Sequence, residues 1–374
     1  MTDPADWLTL ALTPGLGPVG CKILLEHFVT PEAIFTASRQ ALGAVKGLSK
    51  SVIGAIGHDA PRKAATLELA KIKQEGITLL GLDDPAYPPL LRTIHDPPMA
   101  LYVKGDPEIL SQPTVGLVGS RAASSYGLEM ATLLGRQLAR AGYTTVSGLA
   151  LGIDTAVHKG SLQDGGTSIA VLGCGVDVVY PRQNEALFLA IARTGAVVSE
   201  YPLGTKPEGF RFPARNRIIS GLSLGVVVVE ATRRSGSLIT ANLALEQGRE
   251  VFAIPGRMDS IKSEGAHRLL QEGAKLIMNS ADILRELPPS DGLCRIKKPA
   301  TDASVIRQEE VVSPGEQQIL ACLEVYPQGI DEIIANSGFR VQQVNEFLLL
   351  LELKGLCESL PGHLYRKTCS VDQQ

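Results

Sequence analysis

The most constraining feature of the chain is a rhythm. Between residues 77 and 287, short runs of Val, Ile, Leu, Thr and Ala at 114–118, 144–147, 168–172, 196–199, 225–229 and 250–254 alternate with amphipathic stretches of helical length. The runs lack an in–out alternation, as strands covered on both faces do, and a crossover of this length joins parallel neighbours. MATLLGRQLARAG, NEALFLAIARTG and SLITANLALEQG read as the intervening helices, each ending in a glycine suited to a helix stop. The pattern predicts an α/β fold with a mainly parallel sheet and helices on both faces.

The flanks have a different texture. Residues 1–76 read as short helices broken by glycines, with GLGPVGCKILLEHF at 15–28 and AVKGLSKSVIGAI at 44–56 each placing a tight turn before an amphipathic helix. They resemble a pair of helix-hairpin-helix (SAM-like) units, whose turn amides can meet a DNA phosphate. The alternative is a small helical domain that uses its glycines only to turn, since the first copy lacks a basic turn. Residues 288–312 lose periodicity and gain Pro, Ser and charge, the signature of a linker. Residues 313–370 then offer three helices and two short strands around Pro361 and Gly362, the outline of a winged-helix domain. Its last helix, VQQVNEFLLLLELKG, carries Glu346 and Glu352 against a late Lys354, which is a poor surface for reading DNA. Its leucines, Leu348 to Leu351, read as core.

A chain of 374 residues with 44% hydrophobic content can bury a substantial core. Its longest apolar runs fall well short of the roughly 20 residues that span a bilayer, and the acidic start lacks a secretory signal, so a cytoplasmic protein is expected. Six scattered cysteines without a CxxC pair suggest neither a zinc ribbon nor a disulfide scaffold. With a net charge of only −3, attraction to a polyanion has to come from a local basic cluster.

In an open parallel sheet, ligands bind outside the carboxyl ends of the strands. The segments there are GSRAAS from Gly119, GLALGID from Gly148, GCGVD from Gly173, EYPLG from Glu200, EATRRSGS from Glu230 and PGRMD from Pro255. Glycine lets backbone approach an anion, and the amides opening the next helix point at it. Yet GLVGSR is not GxGxxG, and the second strand ends Ser147-Gly148 without the acidic residue that would receive a ribose. A nicotinamide is therefore disfavoured and no cofactor is expected. GTKPEGFRFPARNRIISGLS, from Gly204, interleaves Lys206, Arg211, Arg215 and Arg217 with Phe210 and Phe212 before a helix starting near Pro213. Cations for phosphates beside rings for bases are typical of single-strand binding surfaces. Arg233 and Arg234 precede Ser235, Gly236 and Ser237 at another helix start, a second anion seat. His158 and Lys159 are expected to close the helix begun by Asp154, where a cation would suit the carboxyl end. No Ser-His-Asp arrangement, metal-ligand spacing or P-loop appears, so neither catalysis nor a metal is expected.

With GSRAASSYG, SGLALGIDTAVHKGSL, LGCGVDVVYPRQN, FPARNRIISGLS and EATRRSGSLITANLALEQGREVFAIPG in this order, residues 77–285 resemble the DNA-processing protein A family, also called Smf. The resemblance implies an extended Rossmann-like fold in a non-enzymatic homodimer. It implies binding of single-stranded DNA, protection of incoming strands in natural transformation, and loading of the recombinase RecA. Carried over residue by residue, it points to Arg121 with Gly119 and Ser120, to Lys206, Phe210, Arg215, Asn216 and Arg217, and to Lys159.

Two other readings stand beside it. The same Rossmann variant resembles nucleoside-monophosphate phosphoribohydrolases, of which RRSGSLITANLALE is an imperfect echo. Ser235 stands where that family has a second glycine, and Glu246 lies too far along the helix. The third reading is a protein–protein adaptor that works through its winged helix.

Overall fold

The computed structural model describes residues 3–288, 313–324, 327–360, 362 and 364–367. The 288–312 linker, apart from its first residue, lies outside the described residues. Contacts divide the chain into two compact units, 1–299 and 300–374.

The first unit opens with helices α1 (Pro4–Ala11), α2 (Pro18–Phe28), α3 (Pro31–Thr36), α4 (Arg39–Ala44), α5 (Lys50–Ile56) and α6 (Asp59–Gln74). Gly15 and Gly47, with φ of +77° and +94°, make the turns that precede α2 and α5. Both are left-handed positions that a side chain would strain. Trp7 of α1 is buried and donates its indole N–H to Asp83 at 2.6 Å. Its ring lies so close over Gly81 that a Cβ there would come within 2.7 Å of Cγ.

The sheet begins with β1 (Thr78–Gly81), the single-turn helix α7 (Pro89–Arg92) and β2 (Ala100–Gly105). Then β3 (Thr114–Val118), α8 (Ser125–Arg140), β4 (Thr144–Ser147), α9 (Ile153–Gln163), β5 (Ser168–Val171), α10 (Glu185–Thr194) and β6 (Ala196–Ser199) build one half. The other half is α11 (Arg211–Leu222), β7 (Gly225–Val228), α12 (Gly236–Glu246), β8 (Glu250–Ala253), α13 (Glu264–Gln271), β9 (Lys275–Leu276) and α14 (Ser280–Glu286). The nine strands lie in the order β1-β2-β6-β5-β4-β3-β7-β8-β9. From β6 to β9 every pairing is parallel. At the other end β2 runs antiparallel to both β6 and β1.

The six expected strands are present to within one residue at each end, and each is buried on both faces apart from the half-buried Glu250. The apolar runs did not announce β1, β2 or β9. The helix expected from Pro213 starts at Arg211, and α9 continues to Gln163. Lys159 therefore sits inside α9 rather than at its carboxyl end.

Helices α8 and α9 cross with almost no side chain between them. A Cβ on Gly135 would stand 2.6 Å from the Val157 carbonyl oxygen, and one on Gly160 would collide with the backbone of Thr132. Since β4 and β7 flank β3 on opposite sides, the winding reverses at β3, and the crevice outside its carboxyl end is the topological switch point.

The second unit contains α15 (Pro314–Cys322), β10 (Gln328–Gly329), α16 (Ile330–Ser337), α17 (Val341–Leu353), β11 (Cys357–Leu360) and β12 (Leu364–Lys367). Three helices on a small antiparallel sheet ordered β10-β12-β11 form a winged helix. The leucine run divides by helical period: Leu348 and Leu351 are core, whereas Leu349 and Leu350 are exposed. Among the described residues no helix is long and apolar enough to cross a membrane.

Candidate nucleic-acid interface

At the switch point lies a crevice of about 640 Å³. One wall is the turn after β3, with Gly119, Ser120 and Arg121. Facing it is the start of α12, with Ser235, Gly236 and Ser237. Pro207, Gly209, Phe212, Arg215 and Asn216, from the loop before α11 and its first turns, contribute a further side.

The β3 turn is held by its neighbours. Ser120 N–H donates to the Glu230 carbonyl at 2.8 Å, and Ile153 N–H donates to the Ser120 carbonyl at 3.1 Å. Gly119 is obligatory here, because a Cβ would come within 2.6 Å of the Ile153 side chain. The Glu230 carboxylate accepts from Ser124 N–H at 3.1 Å and from its hydroxyl at 2.5 Å, so it holds the residue that caps α8 rather than neutralising an arginine. Arg121 is thereby left exposed at the mouth, its guanidinium 5.3 Å from the Phe212 ring centroid. Phe212 stacks in turn on Tyr180, with centroids 5.6 Å apart.

Across the crevice, the Ser235 hydroxyl accepts the Ser237 N–H at 3.3 Å and caps α12. Asn216 spans the two sides by donating to the Gly236 carbonyl at 3.4 Å. Ser235 N–H donates to the Thr232 carbonyl at 3.0 Å, so it is the Gly236 amide, with the positive end of the helix dipole, that makes this side an anion seat.

The floor carries opposite charges. Arg215 is 4% exposed and donates to the Val171 carbonyl, and a Cβ on Gly148 would collide with its guanidinium. Asp154, 7% exposed, accepts from the amides of Gly148 at 3.1 Å and Ala150 at 3.3 Å. Burial pulls the Arg215 pKa down to about 10; Asp154 pushes it back up, and the Arg121 charge adds to the fall. Burial likewise raises the Asp154 carboxyl, opposed chiefly by Arg215.

The structure thus gathers Gly119, Ser120, Arg121, Phe212, Arg215, Asn216, Ser235, Gly236 and Ser237 around one crevice. Lys206 and Phe210 are exposed on the loop that walls it, and Arg211 lies over both the Tyr201 and Phe210 rings, 5.2 and 5.3 Å from their centroids. Arg233 is exposed on the turn leading to α12. Two expected residues are not brought in. Arg217 is buried and paired with Glu200 at 2.5 Å and Asp96 at 3.0 Å, because the helical period turns it away from the crevice that Asn216 faces. Lys159 is exposed on α9 and does not line the crevice. His158 is a core residue: it is fully buried and pairs with the Ser168 hydroxyl at 2.7 Å, and burial holds its pKa down at about 3.

The family described as DNA recombination-mediator protein A matches residues 78–288, the whole of this sheet and its helices. The chain belongs to that family. A second match, to the DprA winged helix domain, covers residues 299–363. The chain is 36% identical to Protein Smf of Synechocystis sp. over 394 aligned residues, covering 98% of this chain and 99% of that one. The solved structure of DNA processing protein A from Streptococcus pneumoniae is similar with a TM-score of 0.58 and 38% identity, over 72% of this chain and 98% of the other. That of Helicobacter pylori DNA processing protein A, described for its unique single-stranded DNA binding mode, has a TM-score of 0.52 and 31% identity over 57% and 97% of the two chains.

Within this DNA recombination-mediator fold, sequence reasoning missed Tyr180. It lies outside any helix or strand, so no periodicity marks it; its one signal is an aromatic residue beside proline after the GCGVD turn.

Proposed function

We propose that the protein binds single-stranded DNA in the crevice after β3, with Arg121 and the Gly236 amide at the start of α12 taking phosphates while Phe212, Tyr180 and Phe210 stack bases. The observation that carries this reading is the convergence of an exposed guanidinium, a capped helix start and a ring pair on one crevice that also has an exposed basic and aromatic loop. Such a surface suits a flexible polynucleotide of any sequence, since every base has a face to stack. The single-stranded DNA binding mode described for the Helicobacter pylori relative supports it.

The role that follows is a cytoplasmic recombination mediator that protects single strands and helps load RecA, acting as a homodimer in DNA recombination or natural transformation. We also propose that it breaks no bond. Asp154, which lines the crevice, and Glu230, which holds the β3 turn, are both occupied by amide or hydroxyl donors, and Glu246 stands at the far end of α12. Residues 1–76, 77–287 and 313–370 are proposed as the helical, DNA-binding and winged-helix domains.

A gel shift comparing single- and double-stranded oligonucleotides, repeated with Arg121→Ala, tests the function. Preference for the single strand, weakened in the variant, is the expected result. Equal affinity of wild type and variant would overturn the site, and release of free base from AMP over many turnovers would overturn the non-enzymatic reading.

A further inference from the structure

The amino-terminal helices reach the base of the proposed binding loop through a buried carboxylate and an apolar contact, both at Leu203. Glu68 of α6 is 6% exposed, and a buried carboxylate has to be supplied with donors. Its Oε1 accepts the backbone N–H of Leu203 at 2.6 Å, while Lys71 Nζ lies 3.7 Å from Oε2. The buried phenol of Tyr102, on β2, lies beside the same carboxylate. Leu203 itself packs in a cluster with Leu8, Leu69 and Ile72.

The next amide, Gly204, is held by both oxygens of Asp177 at 2.9 and 2.8 Å. Gly204 has φ of +75°, and the turn closes as Thr205 N–H donates to the Pro202 carbonyl at 3.2 Å. Gly175 N–H then donates to the Thr205 carbonyl at 3.0 Å. After this bolted turn comes the exposed segment 206–210, which Arg211 closes on itself by donating to the Lys206 carbonyl at 2.6 Å. Residues 202–205 are the fixed end from which the basic and aromatic loop projects.

We propose that Glu68 is a positioning residue for this loop: through the Leu203 N–H, helix α6 sets where Lys206, Phe210 and Phe212 stand for a single strand. The ligand rests on the function proposed above, but the anchoring does not. A hydrogen bond to a charged acceptor, once lost, leaves the amide buried and unpaired, which corresponds to about tenfold in an equilibrium that depends on it.

The full-length wild type is compared with Glu68→Ala, Glu68→Asp and Glu68→Gln by hydrogen exchange of peptides spanning 201–212 and by fluorescence anisotropy with an oligothymidine at two salt concentrations. In Glu68→Ala, exchange across 201–212 speeds up and affinity falls about tenfold, while the salt slope stays at its wild-type value because the cations are intact. Glu68→Gln retains the Oε1 acceptor and stays within about twofold. Glu68→Asp keeps the charge but is one methylene short; it follows the alanine variant and carries the test if that variant does not fold. A folded Glu68→Ala or Glu68→Asp with wild-type exchange, or with faster exchange and unchanged affinity, overturns the proposal. Faster exchange in a protein whose wild type has no affinity for the oligothymidine supports the anchor and overturns the ligand.

Discussion

The guanidinium carbon of Arg121 stands 5.3 Å from the centroid of Phe212, so the cation and the ring at the crevice mouth form one unit. The face of Phe212 steadies the charge, and the planar guanidinium leaves its edge donors for a phosphate. Arg121→Ala is expected to weaken single-strand binding about tenfold and to make the plot of log affinity against log salt shallower by about one phosphate. Arg121→Lys restores the slope but only part of the affinity, since an ammonium cannot lie flat on the ring. Titrations at several salt concentrations check both.

Tyr180 and Phe210 separate stacking from stability. Phe210 is 69% exposed and Tyr180 is 41% exposed, so truncating either to alanine leaves the core untouched. Each variant is expected to melt close to wild type and to lose about 1–3 kcal/mol of single-strand affinity, with the salt slope unchanged. Retained affinity in both would remove the rings from the interface.

Arg217 behaves in the opposite way. Its guanidinium holds the largely buried Glu200 and the half-buried Asp96, and Glu200 is raised by burial and brought back chiefly by Arg217. Arg217→Ala leaves a buried carboxylate without its cation, and a loss of about 3–5 kcal/mol in unfolding free energy is expected. Chemical denaturation measures it. At a temperature where the variant is folded, its salt slope for DNA should match wild type.

Gly148 is a steric test of the buried floor. A Cβ there would collide with the Arg215 guanidinium, which has little room to retreat while it donates to the Val171 carbonyl. Gly148→Ala is expected to destabilise the protein by about 1–3 kcal/mol, as overpacking does, and Gly236→Ala, where nothing lies within 4 Å of the added carbon, should be close to neutral. Paired melting curves decide the contrast.

The pH dependence of folding should carry the mark of His158. Its folded pKa of about 3 lies below the ordinary 6.5, burial being the first cause and Arg215 the second. A depressed histidine means that the unfolded chain takes up the proton. Its contribution is therefore complete above pH 6.5 and is lost as pH falls, by about 2 kcal/mol at pH 5. His158→Asn flattens the stability profile between pH 7 and 5; equal wild-type stability at the two pH values would contradict this assignment.

The parallel strands were legible because burial on both faces leaves a contiguous apolar run, as in TVGLV and GVVV. The antiparallel edge was not. TLLG is no shorter than the legible strands and ALYVKG is longer, but neither takes part in the strand–helix alternation, and β2 is recognised only by its place between β1 and β6. Glycine, serine and arginine at the strand ends located the crevice, since the topology fixes where strand ends converge. Which arginines face it was hidden by α11, a helix that presents Asn216 to the crevice and buries Arg215 and Arg217 on either side of it. A basic helix is read as a basic surface unless its acidic partners, here Asp96 and Glu200 from distant segments, are known to meet it.

The glycine crossing of α8 over α9 has a reach beyond its own layer. The two helices follow the turns that carry Arg121 and Gly152, so the span between those turns is gauged by how near Gly135 and Gly160 let the rods approach. A single methyl added at the crossing would pry the mouth apart from below, and a strand-binding rim could be detuned without altering any residue that a strand would touch.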